Sequence, residues 1–270
     1  NSIKLNGIST KKCNILNRTE LGEIINAIKP KSIIHCAALS DVDYCESNKT
    51  VAEDINILGT RNLVECTKSD TKLIYISTDA VYDGIKGNFS EDDPISPQNY
   101  YGFTKYNGEL ELNSIKNSII LRTNFFGWNI PFKNSLLDWI FSELKRGKKI
   151  NCFQDAIFSS LYTFELAKII GLSIQKNLKG IYNCGSLNSI SKFDFALKVA
   201  DIFQFNKKLI NGISIDDFNF NAIRGKNLSL NVMKINNDLN QSIQSIDNSI
   251  RSCHADYLSD IPKKIKKSLL

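Results

Sequence analysis

The sequence predicts an α/β protein built on a doubly wound parallel sheet of the Rossmann type, with a smaller C-terminal lobe. Two observations carry this prediction. Short apolar runs without polar alternation recur along the first half of the chain, as expected for strands that are buried on both faces of a parallel sheet. Between these runs, apolar residues recur at helical spacing, so strands and helices alternate.

The elements of the first half follow in order along the chain. Strands are predicted at residues 32–36, 72–76 and 118–122. Helices are predicted at residues 19–28, through the spaced apolar residues Val51, Ile55, Leu58 and Leu63, and at residues 101–112. Pro30 ends the first helix, because proline cannot continue the helical hydrogen bonding. This alternation gives parallel strands joined by helical crossovers.

The rhythm changes after Gly127. Longer helical stretches are predicted at residues 135–145, 163–174 and 191–203, with one late strand at residues 181–184. We interpret this half as a smaller substrate-binding lobe. The expected division is therefore a sheet domain over residues 1–127 and a lobe over residues 128–270, from which one or more elements return to the sheet.

The start of the chain lacks a feature that such sheets normally have. A Rossmann sheet opens with a strand, a glycine-rich turn and a helix whose N-terminal amides bind the pyrophosphate of a dinucleotide. Before Ile33 the chain offers only Gly7 and Gly22, in no such pattern. Because residues 2–8 fit the second strand, we expect the first strand, turn and helix, about 30 residues, to be missing.

Composition narrows the class of protein. With 270 residues, 42% hydrophobic and 23% charged, the chain is typical of a globular protein. Its +6 net charge is spread along the chain, apart from one group of C-terminal lysines, so no nucleic-acid surface is expected. Seven scattered cysteines and two histidines predict neither a metal site nor a disulfide framework. No apolar window reaches the ~20 residues of a membrane span, and a cytoplasmic location is expected.

Tyr101 and Lys105 are the first candidates for catalysis. Four residues apart on a predicted helix, they share one face, where the ammonium would lower the phenol's pKa from about 10. The pair would then serve as a proton donor. The sequence contains a second tyrosine and lysine four residues apart, Tyr82 and Lys86. They lie where a predicted strand passes into a loop, so their spacing does not place them on one face of a helix.

The segment Ser77-Thr78-Asp79 directly follows a predicted buried strand. Open α/β sheets present ligand-binding side chains at this position, so a hydroxyl there can polarise a substrate oxygen. The alternative is that the segment only caps the strand end. Its combination with Tyr101 and Lys105 favours catalysis, and Asp79 is interpreted as a local capping residue.

Taken together, these segments resemble dTDP-4-dehydrorhamnose reductases, which belong to the extended short-chain dehydrogenase/reductase family. The resemblance is dense from about residue 13 to residue 127 and rests on residues 33–38, 41–46, 56, 77–84, 97–105 and 121–123. Beyond this part it thins to residues 155, 159, 166–167, 180–182 and 224–230. There Gly225 replaces the family's usual proline, and Ala156 replaces a frequent glutamine, which leaves the sugar specificity open.

The resemblance implies that a hydride passes from NAD(P)H to the C4 ketone of a nucleotide sugar. Tyr101 would donate the proton, Thr78 would polarise the carbonyl, and Lys105 would bind the nicotinamide ribose. The cofactor would be NADP or NAD, with NADPH slightly preferred. The resemblance also leaves a homodimer as one option for the assembly. The implied cofactor-binding residues are Ala37, Ala38, Asn56, Ser77, Tyr101 and Lys105. The implied substrate-binding residues are Asp41, Asp43, Val81, Asn124 and Arg224.

Three other classes of protein share this fold. A nucleotide-sugar 4,6-dehydratase would carry glutamate after Asp79, where this chain has Ala80. A nucleotide-sugar epimerase stays open, because Asn124 resembles epimerase sequences more than the tryptophan common in reductases. A non-catalytic regulatory subunit that binds nucleotide is favoured by the missing glycine turn and opposed by the retention of Thr78, Tyr101 and Lys105.

Overall fold

The chain folds around a parallel sheet flanked by helices. In a computed structural model of the chain, residues 12–128 and 135–267 are described. The described strands are β1 (Ser32–His35), β2 (Lys72–Thr78), β3 (Ser118–Thr123), β4 (Phe125–Phe126), β5 (Ile150–Phe153), β6 (Ile157–Phe158), β7 (Leu161–Tyr162), β8 (Gly180–Cys184), β9 (Ile190–Ser191), β10 (Ile210–Ile213) and β11 (Asn227–Leu228). The described α-helices are α1 (Arg18–Ile28), α2 (Val42–Ser47), α3 (Lys49–Glu53), α4 (Gly59–Cys66), α5 (Tyr100–Glu111), α6 (Leu136–Lys145), α7 (Thr163–Gln175), α8 (Lys192–Ile202), α9 (Met233–Leu239), α10 (Ile246–Leu258) and α11 (Ile261–Lys267).

The main sheet has the strand order β1-β2-β3-β8, and every neighbouring pair is parallel. Its two faces are covered by different helices. Along β2, Ile74 and Ile76 enter a core cluster with residues of α7 and α9, whereas Leu73 and Tyr75 enter a second cluster with residues of α1 and α4. Since strand side chains alternate between faces, this arrangement is that of a doubly wound sheet. The predicted fold class is confirmed.

The lobe has its own apolar core. Helices α6, α8 and α10 contribute Leu137, Phe195 and Ile250 to it, each with no exposed surface. Both tryptophans of the chain, Trp128 and Trp139, pack against this cluster. Three small sheets, β10-β5, β11-β6-β9 and β4-β7, complete the part of the chain after β3.

The connection from β3 to β8 passes through much of the lobe before the chain returns to the sheet. Helix α7 then packs on the main sheet and strand β8 pairs with β3 as its last strand, although both elements come after residue 127. The division between residues 1–127 and 128–270 stays a prediction. The strand predicted at residues 2–8 lies outside the described residues. Within the described ranges, the helices are too short or too polar to cross a membrane.

One close contact fixes the start of α5 against the end of β2. The helix begins after Asn99, whose side-chain Oδ1 accepts a hydrogen bond from the Gly102 amide at 2.9 Å. A Cβ atom on Gly102 would lie 2.2 Å from the Ala80 carbonyl oxygen, so only glycine permits this approach. Through this contact the first turn of α5 lies beside the residues that follow β2.

Candidate active site

A cavity of about 580 Å³ opens where β1, β2 and β3 reach their carboxyl ends. This is the edge of an open α/β sheet at which ligands bind. The sheet side contributes Cys36, Ala38, Ser77, Thr78, Asp79, Tyr101, Lys105, Thr123 and Asn124. The lobe side contributes Phe153, Ala156, Phe158, Lys192, Phe220, Arg224 and Gly225.

Lys105 lines the cavity with only 3% of its surface exposed. Its Nζ donates a hydrogen bond to the Ile76 carbonyl oxygen at 2.8 Å and lies 4.0 Å from the centre of the Tyr75 ring. Burial lowers the pKa of Lys105 to about 7, opposed by the charges of Glu109 and Cys36. A buried amine held in this way can still bind a polar ligand group through its other protons.

Tyr101 lies on the same face of α5, one turn before Lys105. Burial raises the pKa of its phenol above the ordinary value, and the Asp79 charge adds to this, whereas hydrogen bonding with Thr78 lowers it. The sequence predicts that Lys105 lowers this pKa. That expectation is not reproduced, because the Lys105 ammonium is directed to Ile76 and burial outweighs the other effects on the phenol. The phenol therefore stays protonated at neutral pH.

Thr78 ends β2 and caps the short 3-10 turn Asp79–Val81. Its Oγ1 accepts a hydrogen bond from the Ala80 amide at 3.1 Å and donates one to Asp79 Oδ1 at 3.2 Å. The N-cap oxygen of this turn belongs to Thr78, and the Asp79 carboxyl also interacts with the Ala80 amide. The interpretation of Asp79 as a local capping residue stays a prediction. The carboxyl is 2% exposed, and its Oδ2 has no hydrogen-bond partner within the described chain.

Burial raises the pKa of Asp79 to about 6. The Thr78 hydroxyl, the nearby Asn124 amide, the Lys192 charge and the Ala80 amide oppose this shift. A carboxyl with such a pKa changes its charge close to neutral pH. Perturbed groups of this kind are typical of functional sites.

A buried polar network holds Ser77, near the end of β2, in place. Ser77 Oγ donates to Glu109 Oε1 at 2.5 Å, and Arg122 Nη2 donates to Glu109 Oε2 at 2.8 Å. Arg122 Nη1 also donates to the Tyr82 hydroxyl at 3.0 Å. Tyr82 therefore belongs to this structural network, and Lys86 instead forms an ion pair with Asp93 at the surface. The second tyrosine–lysine match of the sequence does not form a pair in the structure.

The structure separates the residues predicted to bind the cofactor. Ala38 and Ser77 line the cavity together with Tyr101 and Lys105, and Ala37 is exposed on the loop beside Ala38. Asn56 lies outside the cavity lining, 1% exposed. Its side chain bonds both the amide and the carbonyl of Leu39 and donates to Thr104 Oγ1 at 2.9 Å. It thereby ties the loop after β1 to α5.

The residues predicted to bind substrate divide in the same way. Asn124 and Arg224 line the cavity. Asp41 caps α2, and Asp43 forms an ion pair of 2.6 Å with the Arg224 guanidinium. Neither aspartate lines the cavity. Val81 has no exposed surface and belongs to the sheet core, so it offers no contact to a ligand.

Apart from Arg224, the residues on the lobe side of the cavity could not be found from the sequence. This side consists of an aromatic wall with two cations: Lys192 Nζ lies 5.8 Å from the centre of the Phe153 ring, and the Arg224 guanidinium lies 4.9 Å from that of Phe220. Arg224 Nη1 is buried and has no hydrogen-bond partner in the described chain. No spacing in the sequence marks Phe153, Phe220 or Lys192. Among the described residues, no cluster of acidic, cysteine or histidine side chains is suited to hold a metal.

Comparison with known proteins agrees with this geometry. The family model described as RmlD substrate binding domain matches residues 1–259. The chain belongs to this family.

Two relatives and one solved structure illustrate the RmlD membership. The dTDP-4-dehydrorhamnose reductase of Aggregatibacter actinomycetemcomitans is 30% identical over 236 residues, which cover 82% of this chain and 79% of the relative. The dTDP-4-dehydrorhamnose reductase of Bacillus anthracis str. Ames, solved in complex with NADP, is 27% identical, has a TM-score of 0.84, and is matched over 90% of this chain and 86% of that one. Methionine adenosyltransferase 2 subunit beta of Danio rerio is 28% identical over 201 residues, 71% of this chain and 62% of the relative.

The resemblance stated from the sequence is therefore confirmed. RmlD membership and these reductases also confirm the class of the chain as an NAD(P)-dependent oxidoreductase of nucleotide-sugar metabolism. The epimerase and regulatory-subunit alternatives are not favoured.

Proposed function

We propose that this chain reduces the C4 ketone of a nucleotide-activated 6-deoxyhexose, with NADPH as the preferred reductant. The observation that carries the proposal is the meeting of Thr78, Tyr101 and Lys105 in one cavity at the carboxyl edge of the sheet. These three side chains come from β2 and α5, and the Gly102 contact holds the two elements together.

Each of the three residues has a role that its surroundings support. Tyr101 donates the proton to the ketone oxygen, since its raised pKa keeps the phenol protonated. Thr78 donates a hydrogen bond to the same oxygen as negative charge develops there. Lys105 holds the nicotinamide ribose through the protons that Ile76 leaves free. The bound dinucleotide supplies the hydride.

The lobe wall fits the nucleotide part of such a substrate. Lys192 and Arg224 place two cations on one side of the cavity, and the buried Arg224 Nη1 still needs an acceptor. A diphosphate supplies charged oxygens of the kind that guanidinium groups bind. The Phe220 ring beside Arg224 offers an apolar face to the base or the sugar.

The preference for NADPH is supported by the related reductase of Bacillus anthracis, which was solved with NADP. Comparing turnover with NADPH and with NADH at equal concentrations tests it. A higher kcat/KM with NADH would contradict the preference and leave the reductase proposal intact.

The reductase proposal is tested by oxidation of NADPH in the presence of a dTDP-4-keto-6-deoxyhexose. We expect Tyr101→Phe to lower kcat by about 100-fold or more while NADPH still binds, because only the proton donor is lost. Tyr106→Phe is the matched control: it removes a phenol hydroxyl from the same helix, from a residue that packs on the sheet core. Equal losses in both variants, or a product lighter than the substrate by one water without NADPH oxidation, would contradict the proposal.

A further inference from the structure

We propose that Asp79 is a positioning residue that sets the direction of the Thr78 hydroxyl and so decides whether Thr78 can donate to the substrate ketone. This inference rests on the reductase function proposed above. It concerns a carboxyl that the catalytic scheme does not otherwise use.

The Thr78 hydroxyl has too few protons to serve both Asp79 and the ketone. A hydroxyl has one proton to donate and two lone pairs to accept with. One lone pair is occupied by the Ala80 amide at 3.1 Å, and the neighbouring Asp79 Oδ1 lies 3.2 Å away. An ionised carboxylate only accepts hydrogen bonds, so Thr78 must then give its single proton to Asp79. No proton is left for the ketone.

A protonated Asp79 reverses the direction of this bond. Its carboxyl then donates to the second lone pair of Thr78. The Thr78 proton is released toward the cavity, where it can reach the neighbouring Tyr101 hydroxyl or a ketone bound beside it. Tyr101 and Thr78 can now both donate to the ketone oxygen. The neutral form of Asp79 is therefore the one that allows two donors at the reacting oxygen.

The surroundings of Asp79 favour the neutral form of its carboxyl, which predominates below its pKa of about 6. Its carboxyl is 2% exposed, and Oδ2 has no hydrogen-bond partner in the described chain, which penalises a buried charge. The groups that face it are Thr78 from β2, the Ala80 amide, Tyr101 from α5, Asn124 after β3 and Lys192 from α8. Of these five, Lys192 is the cation, and its charge favours the carboxylate.

The sign of the pH dependence follows. Below the Asp79 pKa, which burial raises to about 6, both donors act, and above it only Tyr101 does. Removal of one donor to a developing oxyanion lowers kcat by about 100-fold or more. Titration of Tyr101 lies well above this range, because burial raises the pKa of that phenol. The pH dependences of Asp79 and Tyr101 are therefore separate. Lys105, whose pKa burial lowers to about 7, titrates close to Asp79, so the Asp79→Asn profile is needed to assign the fall in kcat to Asp79.

The experiment measures kcat at saturating substrate and NADPH from about pH 5 to about pH 9, which reports groups in the ternary complex. For the wild-type chain we expect kcat to fall with rising pH through a group with a pKa near that of Asp79. In Asp79→Asn this limb should vanish, since an amide does not titrate. In Lys192→Met it should move to higher pH, because the cation that favours the carboxylate is lost.

Lys226→Met is the matched control. This lysine is exposed and forms ion pairs with Asp155 and Asp216 outside the cavity lining, so its loss should leave the limb in place. An Asp79→Asn limb at the wild-type position would overturn the inference. If Asp79→Asn is inactive at every pH, the Lys192→Met profile tests the inference instead. A fall in kcat at the same pH as in the wild-type chain would then overturn it.

Failure of this inference is distinguishable from failure of the proposed function. A wild-type chain that oxidises no NADPH at any pH rejects the reductase proposal. A wild-type chain that is active, with a kcat independent of pH in this range, rejects the role of Asp79 alone.

Discussion

Glu109 and Arg122 form an ion pair in which each side chain is only 2% exposed. We expect Glu109→Gln to lower the free energy of unfolding by about 3–5 kcal/mol, because it leaves the Arg122 charge buried without its partner. The exposed pair of Arg61 and Glu111 offers a control, since Glu111→Gln should cost less than about 1 kcal/mol. Urea unfolding of both variants measures the difference. Equal losses would mean that burial does not strengthen the coupling.

At the same scale, the sequence predicts part of the candidate site and misses the rest for a physical reason. Tyr101 and Lys105 can be found because helical spacing puts them on one face, and Thr78 because it ends an apolar strand. The positions of Lys192 and Phe220 depend on how the lobe packs against the sheet, which no local pattern encodes. The role of Asp79 cannot be decided from the sequence, because the choice between a capping residue and a buried acid depends on which neighbouring oxygen accepts a hydrogen bond from the Ala80 amide.

At the scale of the elements, the position of α5 depends on the close contact at Gly102. We expect Gly102→Ala to lower kcat by about 100-fold, because a Cβ placed 2.2 Å from the Ala80 oxygen pushes Tyr101 away from Thr78. Gly22→Ala in α1 is the control. Its Cβ would meet only Cys66 Sγ at an ordinary 3.5 Å, and alanine should stabilise that helix by about 1 kcal/mol. Steady-state kinetics and thermal melts of both variants test this, and wild-type kcat in Gly102→Ala would contradict it.

Most of the long elements could be predicted, since burial on both faces and helical periodicity are local properties of the sequence. The strands of two residues, such as β4 and β7, could not, because they exist only through pairing with distant segments. The helix predicted through Val51 and Leu63 is interrupted by the π-helical turn Asp54–Leu58. This turn carries Asn56, whose bonds to Leu39 and Thr104 depend on the tertiary fold.

For the whole molecule, the return of β8 to the sheet has a measurable consequence. A chain that ends at residue 127 should show no cooperative unfolding, because β3 loses its partner β8 and the sheet core loses Ile169 and Tyr182. A chain that ends at residue 259 removes α11 alone among the described elements and should keep its transition. Circular dichroism melts compare the two. A sharp transition in the shorter chain would show that the sheet domain folds independently.

The placement of Trp128 and Trp139 gives the molecule an optical label that is confined to one half. Since both indoles of the chain pack on the lobe core, fluorescence excited through tryptophan reports the lobe, while the main sheet contributes none. Far-ultraviolet circular dichroism reports the backbone of both halves. Coincident denaturation curves from the two signals would mean a single folding unit, and a separation would give the stability of each half without any engineered probe.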